Sequence, residues 1–468
     1  MTLQEEVVRL RAENAELRTL IADLRALLAI EQARLAELEA ELKGRRPDPP
    51  AFVKPNRPKR DKAQGPRTKR APQKNASRRR ETATRIERHA LDRCPECSYP
   101  LTGESLDYSR QVIELPPPQP VDISEHQVIK RKCPHCEQWC APHLDLSGTV
   151  IGQGRIGVRI AGLIAYLRTT LRMTIAAIQT YLQGVHRLYL SAGEIVELLH
   201  DVAQATRTAV DALRDQMRTS SVVHGDETGW RENGQNGYAW VFATPGAQGI
   251  RYYEHDHSRG QAVVRRIIGP PDGQQSTACL VTDFCCGYND YAGPQRRCWT
   301  HLVRDLRKLK DEQPSADAVL AWARGVRQLY DDATTWLDAH PSPMPAERRA
   351  LYAVLVRRTR TLGWQYAKER DHPCTALAKR LLRHQDELFQ FVVRDGVSAD
   401  NNLAERAVRP LVVTRKISGG SRSPRGSATR MALASLFGTW QVRGLNPLDE
   451  CVRLLSQPRQ VAAQTALP

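Results

Sequence analysis

Between Ser221 and Asp283 a set of short apolar runs follows in an order that few folds accept. S-V-V-H-G-D, G-Y-A-W-V-F-A-T and I-R-Y-Y-E-H are rich in β-branched and aromatic residues and are joined by Gly-containing turns, so they read as three consecutive strands. G-Q-A-V-V-R-R-I-I then reads as a helix, and A-C-L-V-T-D as a fourth strand. Three strands, a helix and a fourth strand form the opening topology of a ribonuclease-H-like domain, in which the first and fourth strands lie side by side.

Two of those runs end in an acid. Asp226 closes the first and Asp283 the fourth, while Glu405 lies in D-N-N-L-A-E-R-A-V-R-P, a helix-forming segment. Two strand-end aspartates and a helix-borne glutamate are what a site needs to hold two divalent metals over a phosphodiester. Hard oxygen ligands suit Mg²⁺ or Mn²⁺. Each acid also has a plain structural reading. Asp226 is a turn residue and Glu227 the ligand, Asp283 caps a loop and Asp290 is the ligand, or Glu405 pairs with Arg409 one helical turn on. Asp400 or Asn401 is positioned to cap the Glu405 helix. Arg409, on the face of Glu405, and Lys416 are placed to reach phosphate.

A chain of 468 residues is too long for one compact core. Its net charge of +17 favours a polyanionic partner. From Gly44 to Arg93 there are 17 Lys/Arg against 5 Asp/Glu, so this stretch holds most of the excess. It has little apolar content to offset chain entropy, and is expected to be a disordered arm for DNA phosphate. No run of about 18 apolar residues suggests a membrane span. Of the 11 cysteines, four form two C-x-x-C pairs, a usage that fits a reducing cytoplasm.

Residues 3–42 carry heptads. Leu3, Leu10, Leu17, Leu24 and Leu38 occupy d; Val7, Asn14, Ile21, Leu28, Leu35 and Leu42 occupy a. That seam predicts a coiled-coil homodimer or higher oligomer, with Asn14 fixing register. Cys94 and Cys97, with Cys133 and Cys136, have the spacing of a structural Zn²⁺ site of ribbon type, and I-E-L-P-P-P and H-Q-V-I-K-R-K read as hairpin strands between them. Cys140, His135 and His143 are substitute ligands. The stretch from Thr174 to Leu199 reads as a helix broken at Gly184 and a second helix opened by Ser191, a candidate helix-turn-helix. The segment from Arg304 to Val393 reads as a helical insertion. The expected fold is therefore multidomain α+β. It comprises an N-terminal coiled coil (1–43), a basic arm (44–93), a zinc-ribbon-like module (94–145) and a helical DNA-binding region (150–217). A ribonuclease-H-like α/β catalytic domain follows (218–303 and 395–440), interrupted by the helical insertion (304–394), and then a tail (441–468).

Four motifs sharpen this. H-G-D-E-T-G-W-R (His224–Arg231), V-T-D-F-C-C-G-Y-N-D-Y (Val281–Tyr291), C-W-T-H-L-V-R (Cys298–Arg304) and D-N-N-L-A-E-R-A-V-R-P-L-V-V-T-R-K (Asp400–Lys416) resemble the transposases of the insertion sequence 66 family. The zipper and the C-x-x-C pairs match that family's N-terminal organisation. The resemblance implies a DDE transposase of a bacterial mobile element, with Asp226, Asp283 and Glu405 as its triad and two Mg²⁺ ions per site. It implies DNA partners, namely the element's inverted repeats and target DNA, with accessory proteins a further possibility, and a nucleoid-associated location. His301, Arg304, Arg406, Arg409, Arg415 and Lys416 are the candidate DNA contacts. The alternatives are a nuclease without strand transfer and a catalytically silent DNA-binding regulator.

Overall fold

A computed structural model describes residues 81–269 and 276–457, together with scattered helical positions between Glu6 and Glu37. The chain divides into two compact units, Met1–Leu115 and Pro116–Pro468. In the first, the described heptad positions are helical, and Leu17, Ile21, Leu24, Leu28 and Leu35 are all exposed. The rest of the heptad seam and residues 44–80 of the basic stretch lie outside the described residues. Residues 81–93 are exposed and form no helix. At Cys94 the chain turns back on itself, the Ser98 amide donating to the Cys94 carbonyl at 2.8 Å.

The second unit opens on the other C-x-x-C turn, held by a two-stranded ribbon of β1 (Arg131–Lys132) and β2 (Trp139–Cys140). The hairpin strands expected between the cysteine pairs are absent, and only Arg131 and Lys132 pair. The proline run of I-E-L-P-P-P explains its half, because proline donates no ladder hydrogen bond. Four helices follow: α1 (Val158–Thr169), α2 (Ile175–His186), α3 (Ala192–Ala205) and α4 (Arg207–Arg218). Ser191 caps α3 with a full capping box to Glu194, as its sequence predicts. The break before it is not at Gly184, which stays helical. The helix ends at Arg187, in the left-handed region at φ 56°.

The main sheet is built from β3 (Val222–Glu232), β4 (Gln235–Ala243), β5 (Arg251–Asp256), β6 (Cys279–Thr282) and β7 (Gln295–Arg297), with α5 (Gln261–Ile268) crossing from β5 to β6. Its order is β5-β4-β3-β6-β7, and β3 runs parallel to β6 with Val222 opposite Cys279 and His224 opposite Val281. The first and fourth expected strands are thus neighbours. β3 does not stop at Asp226. It runs to Glu232, because Thr228, Trp230 and Glu232 continue the inward alternation while Gly229 and Arg231 face out.

On one face Val223, Trp240, Phe242 and Leu280 pack against α1 to α5 and against two later helices, α12 (Pro424–Val442) and α13 (Pro447–Leu455). Residues 150–217 therefore form no separate module; their apolar sides and the sheet share one core. The segment expected as a tail contributes α13, whose Cys451 and Leu455 are buried. On the other face, Val222, Cys279 and Val281 meet the helical insertion: α6 (Trp299–Glu312), α7 (Asp317–Ala339), α8 (Pro345–Tyr366), α9 (Thr375–Arg383) and α10 (Gln390–Val393). Beside it α11 (Asn402–Ser418) lays Ala407, Val408 and Leu411 over Trp230, Ala239 and Val241. Each large side chain fully buried in these layers contributes about 1.5–3 kcal/mol. No helix among the described residues is long and apolar enough to cross a membrane.

Candidate active site

Strand alternation sends Asp226 and Glu227 to opposite faces of β3. Asp226 faces α11. Its Oδ1 accepts the Glu227 amide at 2.9 Å, and its carboxyl is pushed up to about 7, first by burial, then by the charges of Glu227, Asp283 and Glu405. On the other face the Glu227 side chain is 2% exposed. It accepts from Arg259 Nη2 at 2.6 Å and from the Tyr288 hydroxyl at 2.5 Å, a pairing that raises Arg259 and leaves it charged. Burial, with Glu227 beside it, holds Tyr288 protonated. Gly225 makes room for that packing, since a Cβ there would lie 3.2 Å from the Tyr288 ring.

Asp283 follows the last residue of β6, and its Oδ1 accepts the Cys285 amide at 2.9 Å, the loop-capping role its position suggests. The turn is held by Arg297 of β7, a strand the sequence does not announce. This guanidinium is fully buried, yet its hydrogen bonds reach Glu387 Oε2 at 2.6 Å, the Asp283 carbonyl at 2.9 Å, Asn289 Oδ1 at 2.8 Å and Gln295 Oε1 at 2.7 Å. Burial would raise Glu387, but His384 and Arg297 hold it below the usual carboxylate range. Arg297 thereby ties the insertion to the Asp283 turn. An R-R pair in a short polar stretch reads as solvent-facing, so only its burial reveals the role.

Glu405 sits in the first turn of α11, and the helix is fastened to β3 by Asn401. Asn401 is at the cap position, but its side chain points into the core. Nδ2 donates to the Gly225 carbonyl at 2.8 Å and Oδ1 accepts from His224 Nδ1 at 3.1 Å. Asp400 takes over the capping contact, accepting the Asn402 amide at 3.1 Å. Burial holds His224 down at about 4, so the imidazole is neutral. The H-G-D-E and D-N-N motifs, 174 positions apart between Asp226 and Asp400, are therefore complementary halves of one joint.

Beside Glu405, His301 of α6 lies 3.9 Å away, Nδ1 to Oε1, and both atoms are buried without a hydrogen-bond partner. The Cys298 thiol close by raises the imidazole, aided by the Asp283 charge. The three expected carboxylates thus lie in electrostatic range of one another but are not drawn into one coordination sphere. Among the described residues, the donor groups here with atoms within 4.8 Å of one another are Glu227, Asp283, Cys285 and Cys298, His301, Glu405. Asp290, the other candidate acid, is ion-paired to Arg265 of α5.

The charged surroundings divide. Arg304, one turn beyond His301, is exposed and lines a cavity of about 440 Å³ with Arg307, Lys310 and Arg327, between α6 and α7. Arg406, Arg409 and Lys416 are exposed on α11. Arg415 turns inward, its Nη1 donating to Thr228 Oγ1 at 3.0 Å and to the Gly229 carbonyl. The helix pair α2–α3 offers phosphate little, since α3 turns Glu194, Glu197 and Asp201 outward and contains no Lys or Arg. Each C-x-x-C turn brings backbone amides onto its first sulfur. Those from Cys97 and Glu96 lower the Cys94 thiol, and those from Cys136 and His135 lower Cys133. All 11 cysteines are free thiols.

Comparison with known proteins gives three kinds of match. Residues 153–429, more than half of the chain, match the model of a family described as transposase IS66 family. An uncharacterized protein y4qI of Sinorhizobium fredii (strain NBRC 101917 / NGR234) is 28% identical over 167 residues, 35% of this chain and 30% of the relative. A second from the same strain, y4jO, is 27% identical over 156 residues, 33% of this chain and 46% of the relative. The chain thus spans less than half the length of either. Among solved structures, a simian T-cell lymphotropic virus intasome in complex with PP2A regulatory subunit B56 gamma aligns with 41% of this chain and 66% of the other, at 13% identity. Its TM-score is 0.15, too low to argue from.

Proposed function

Given that the chain belongs to the transposase IS66 family, we propose that it is the DDE-type enzyme of an insertion sequence, cutting DNA at the element's terminal inverted repeats and joining the freed 3′ ends to target DNA. The observation that supports this most is the Asp226 carboxyl, driven up to about 7 by burial and by the charges of Glu227, Asp283 and Glu405 around it. So much uncompensated negative charge suits a divalent cation. The strand order, with β3 beside β6, is the one expected of a ribonuclease-H-like domain.

Asp226, Asp283 and Glu405 would hold Mg²⁺ or Mn²⁺. Their donors are hard oxygens, and the Glu405 Oε1 is buried with its hydrogen-bonding capacity unspent. When bound, two such ions activate the attacking oxygen and stabilise the departing one. The chain's own residues set the stage. Asn401 and Arg297 hold the Glu405 helix and the Asp283 turn against β3 and β6. Neutral His224 adds no positive charge to the pocket. His301 next to Glu405 is a hydrogen-bond donor for a phosphate oxygen. Arg304, Arg307, Lys310 and Arg327 line a basic track, and Arg406, Arg409 and Lys416 offer further phosphate contacts. We assign Arg415 to positioning rather than to DNA, because its guanidinium bonds β3. The N-terminal heptads would provide a dimer seam, and each C-x-x-C turn would offer thiols to Zn²⁺, its first thiol, Cys94 or Cys133, being lowered by backbone amides.

The test is strand cleavage and strand transfer with DNA carrying the element's ends. Asp226→Asn, Asp283→Asn and Glu405→Gln should each abolish both reactions while DNA binding persists. Cleavage at wild-type rate in any of them would refute the triad. Pre-cleaved ends that are never joined to target would leave a nuclease instead.

A further inference from the structure

At the far end of β3, about 20 Å along the strand from Asp226, stands a second set of convergent donors that the DNA chemistry does not use. Glu232 ends β3 with its side chain 6% exposed. Its Oε2 lies 3.3 Å from His255 Nδ1, and its Oε1 lies 3.1 Å from His257 Nε2. All three residues have ligand atoms within 4.8 Å of one another.

The backbone is shaped for this meeting. β4 runs between β3 and β5, and a side chain from β5 must cross it to reach Glu232. The crossing point is Gly237, where a Cβ would lie 2.7 Å from His255 Nε2. His257, just past β5, directs Nδ1 toward the Asn236 carbonyl at 3.5 Å. In the tautomer that carries its proton on Nδ1, Nε2 presents a lone pair 3.1 Å from Glu232 Oε1, the arrangement in which a cation is held between them. An imidazole anchored through its other nitrogen to a backbone carbonyl is the usual posture of a metal-binding histidine. A Zn²⁺ ion with tetrahedral bonds of 2.0–2.1 Å sets its ligand atoms about 3.4 Å apart. The observed separations of 3.3 and 3.1 Å are close to that edge.

We propose that Glu232, His255 and His257 form a binding site for a Zn²⁺-class divalent cation, separate from both the carboxylate triad and the C-x-x-C pairs. His257 is 52% exposed, which leaves the fourth position open to water. Two imidazoles and one carboxylate select Zn²⁺ over Mg²⁺. The cation would staple β3 to β5 where Glu232 pairs with Ser421, in the segment that follows the Glu405 helix.

The test is metal stoichiometry of the full chain after dialysis against Zn²⁺, read by elemental analysis beside thermal melting. Wild type should hold one more tightly bound Zn²⁺ per chain than His257→Gln or His255→Gln, whatever number the cysteines hold in all three. Added Zn²⁺ should raise the Tm of wild type more than that of His257→Gln, a variant at a half-exposed position chosen to keep the fold. Equal stoichiometry in wild type and His257→Gln would overturn the site. So would displacement of the extra Zn²⁺ by Mg²⁺ in hundredfold excess.

Discussion

Asp226 and Glu232 stand on the same face of one strand, six residues apart, and their surroundings treat charge in opposite ways. At Asp226 burial and three neighbouring carboxylates raise the carboxyl to about 7. At Glu232 burial also works against ionisation. The neighbouring Ser427 and the imidazoles of His255 and His257 nevertheless bring the carboxyl below its usual range. The backbone is the same at both positions. What differs is what the adjoining elements deliver: the end of β6 and α11 bring acids to one end, and β5 with the residue just past it brings two histidines to the other. An end crowded with acids suits hard divalent cations, whereas the other end gathers imidazoles around a single acid, the donor set of a softer one.

The sharpest way to break that contrast is Asp226→Asn. If Asp226 serves as a metal-holding carboxylate, cleavage should fall by at least about 10³-fold, the order that several kcal/mol of lost charge stabilisation implies. Gel-resolved cleavage kinetics measure this.

Next is Arg297→Ala. It strips the buried partner from Glu387 and frees the Asp283 carbonyl, so stability should drop by about 3–5 kcal/mol in denaturant melts. A loss below about 1 kcal/mol would mean that the Asp283 turn does not depend on this anchor.

Asn401→Ala should cost about 1–3 kcal/mol, from buried groups left unpaired at Gly225 and His224. Cleavage should fall with it, because Glu405 loses its tether. Asn401→Asp, which keeps an acceptor for His224, should recover part of the stability.

The pH response tests the comparison directly. A raised carboxyl favours the folded state when protonated. The Asp226 contribution is therefore full below pH 3.8 and fades as pH climbs through about 7, by up to about 1.4 kcal/mol per pH unit. Glu232 has the opposite sign. Its contribution is present above the ordinary glutamate value and is lost as pH falls through its lowered one. In chelator-treated protein, the stability gap between Asp226→Asn and wild type should widen with rising pH. The gap between wild type and Glu232→Gln should shrink on acidification. Parallel trends in urea melts would erase the distinction.

The smallest effect belongs to the surface. Removing a phosphate contact by Arg409→Ala should reduce the salt slope of DNA binding by about 0.9, measured by anisotropy at graded ionic strength.

Much of the sheet's layout was legible before any coordinates. Alternation and turn residues marked the strands, and the order of the runs implied that Asp226 and Asp283 lie on neighbouring strands. The same alternation, T-G-W-R-E, also signalled that β3 continues past Asp226, although a polar residue after an apolar run looks like an ending. Gly184 carried a breaker's label, yet one glycine inside an otherwise favourable helix costs only about 1 kcal/mol, and the turn came at Arg187 instead. β7 and Arg297 had no periodic signature, since three residues are too few to show one. Residues 150–217 carried helical periodicity, which tells that a face is buried but not against what. That is why they read as a module of their own, while their apolar sides share one core with the sheet.

The sequence by itself determined which segments become strands and helices, because periodicity and turn chemistry are local, and it identified the acids through their motifs. Tertiary structure alone decided how each acid is used. Charge acts through space, so the fate of Asp226, Glu227 and Glu232 rests on groups far away in the chain: Glu405 and Asp283, Arg259 and Tyr288, His255 and His257.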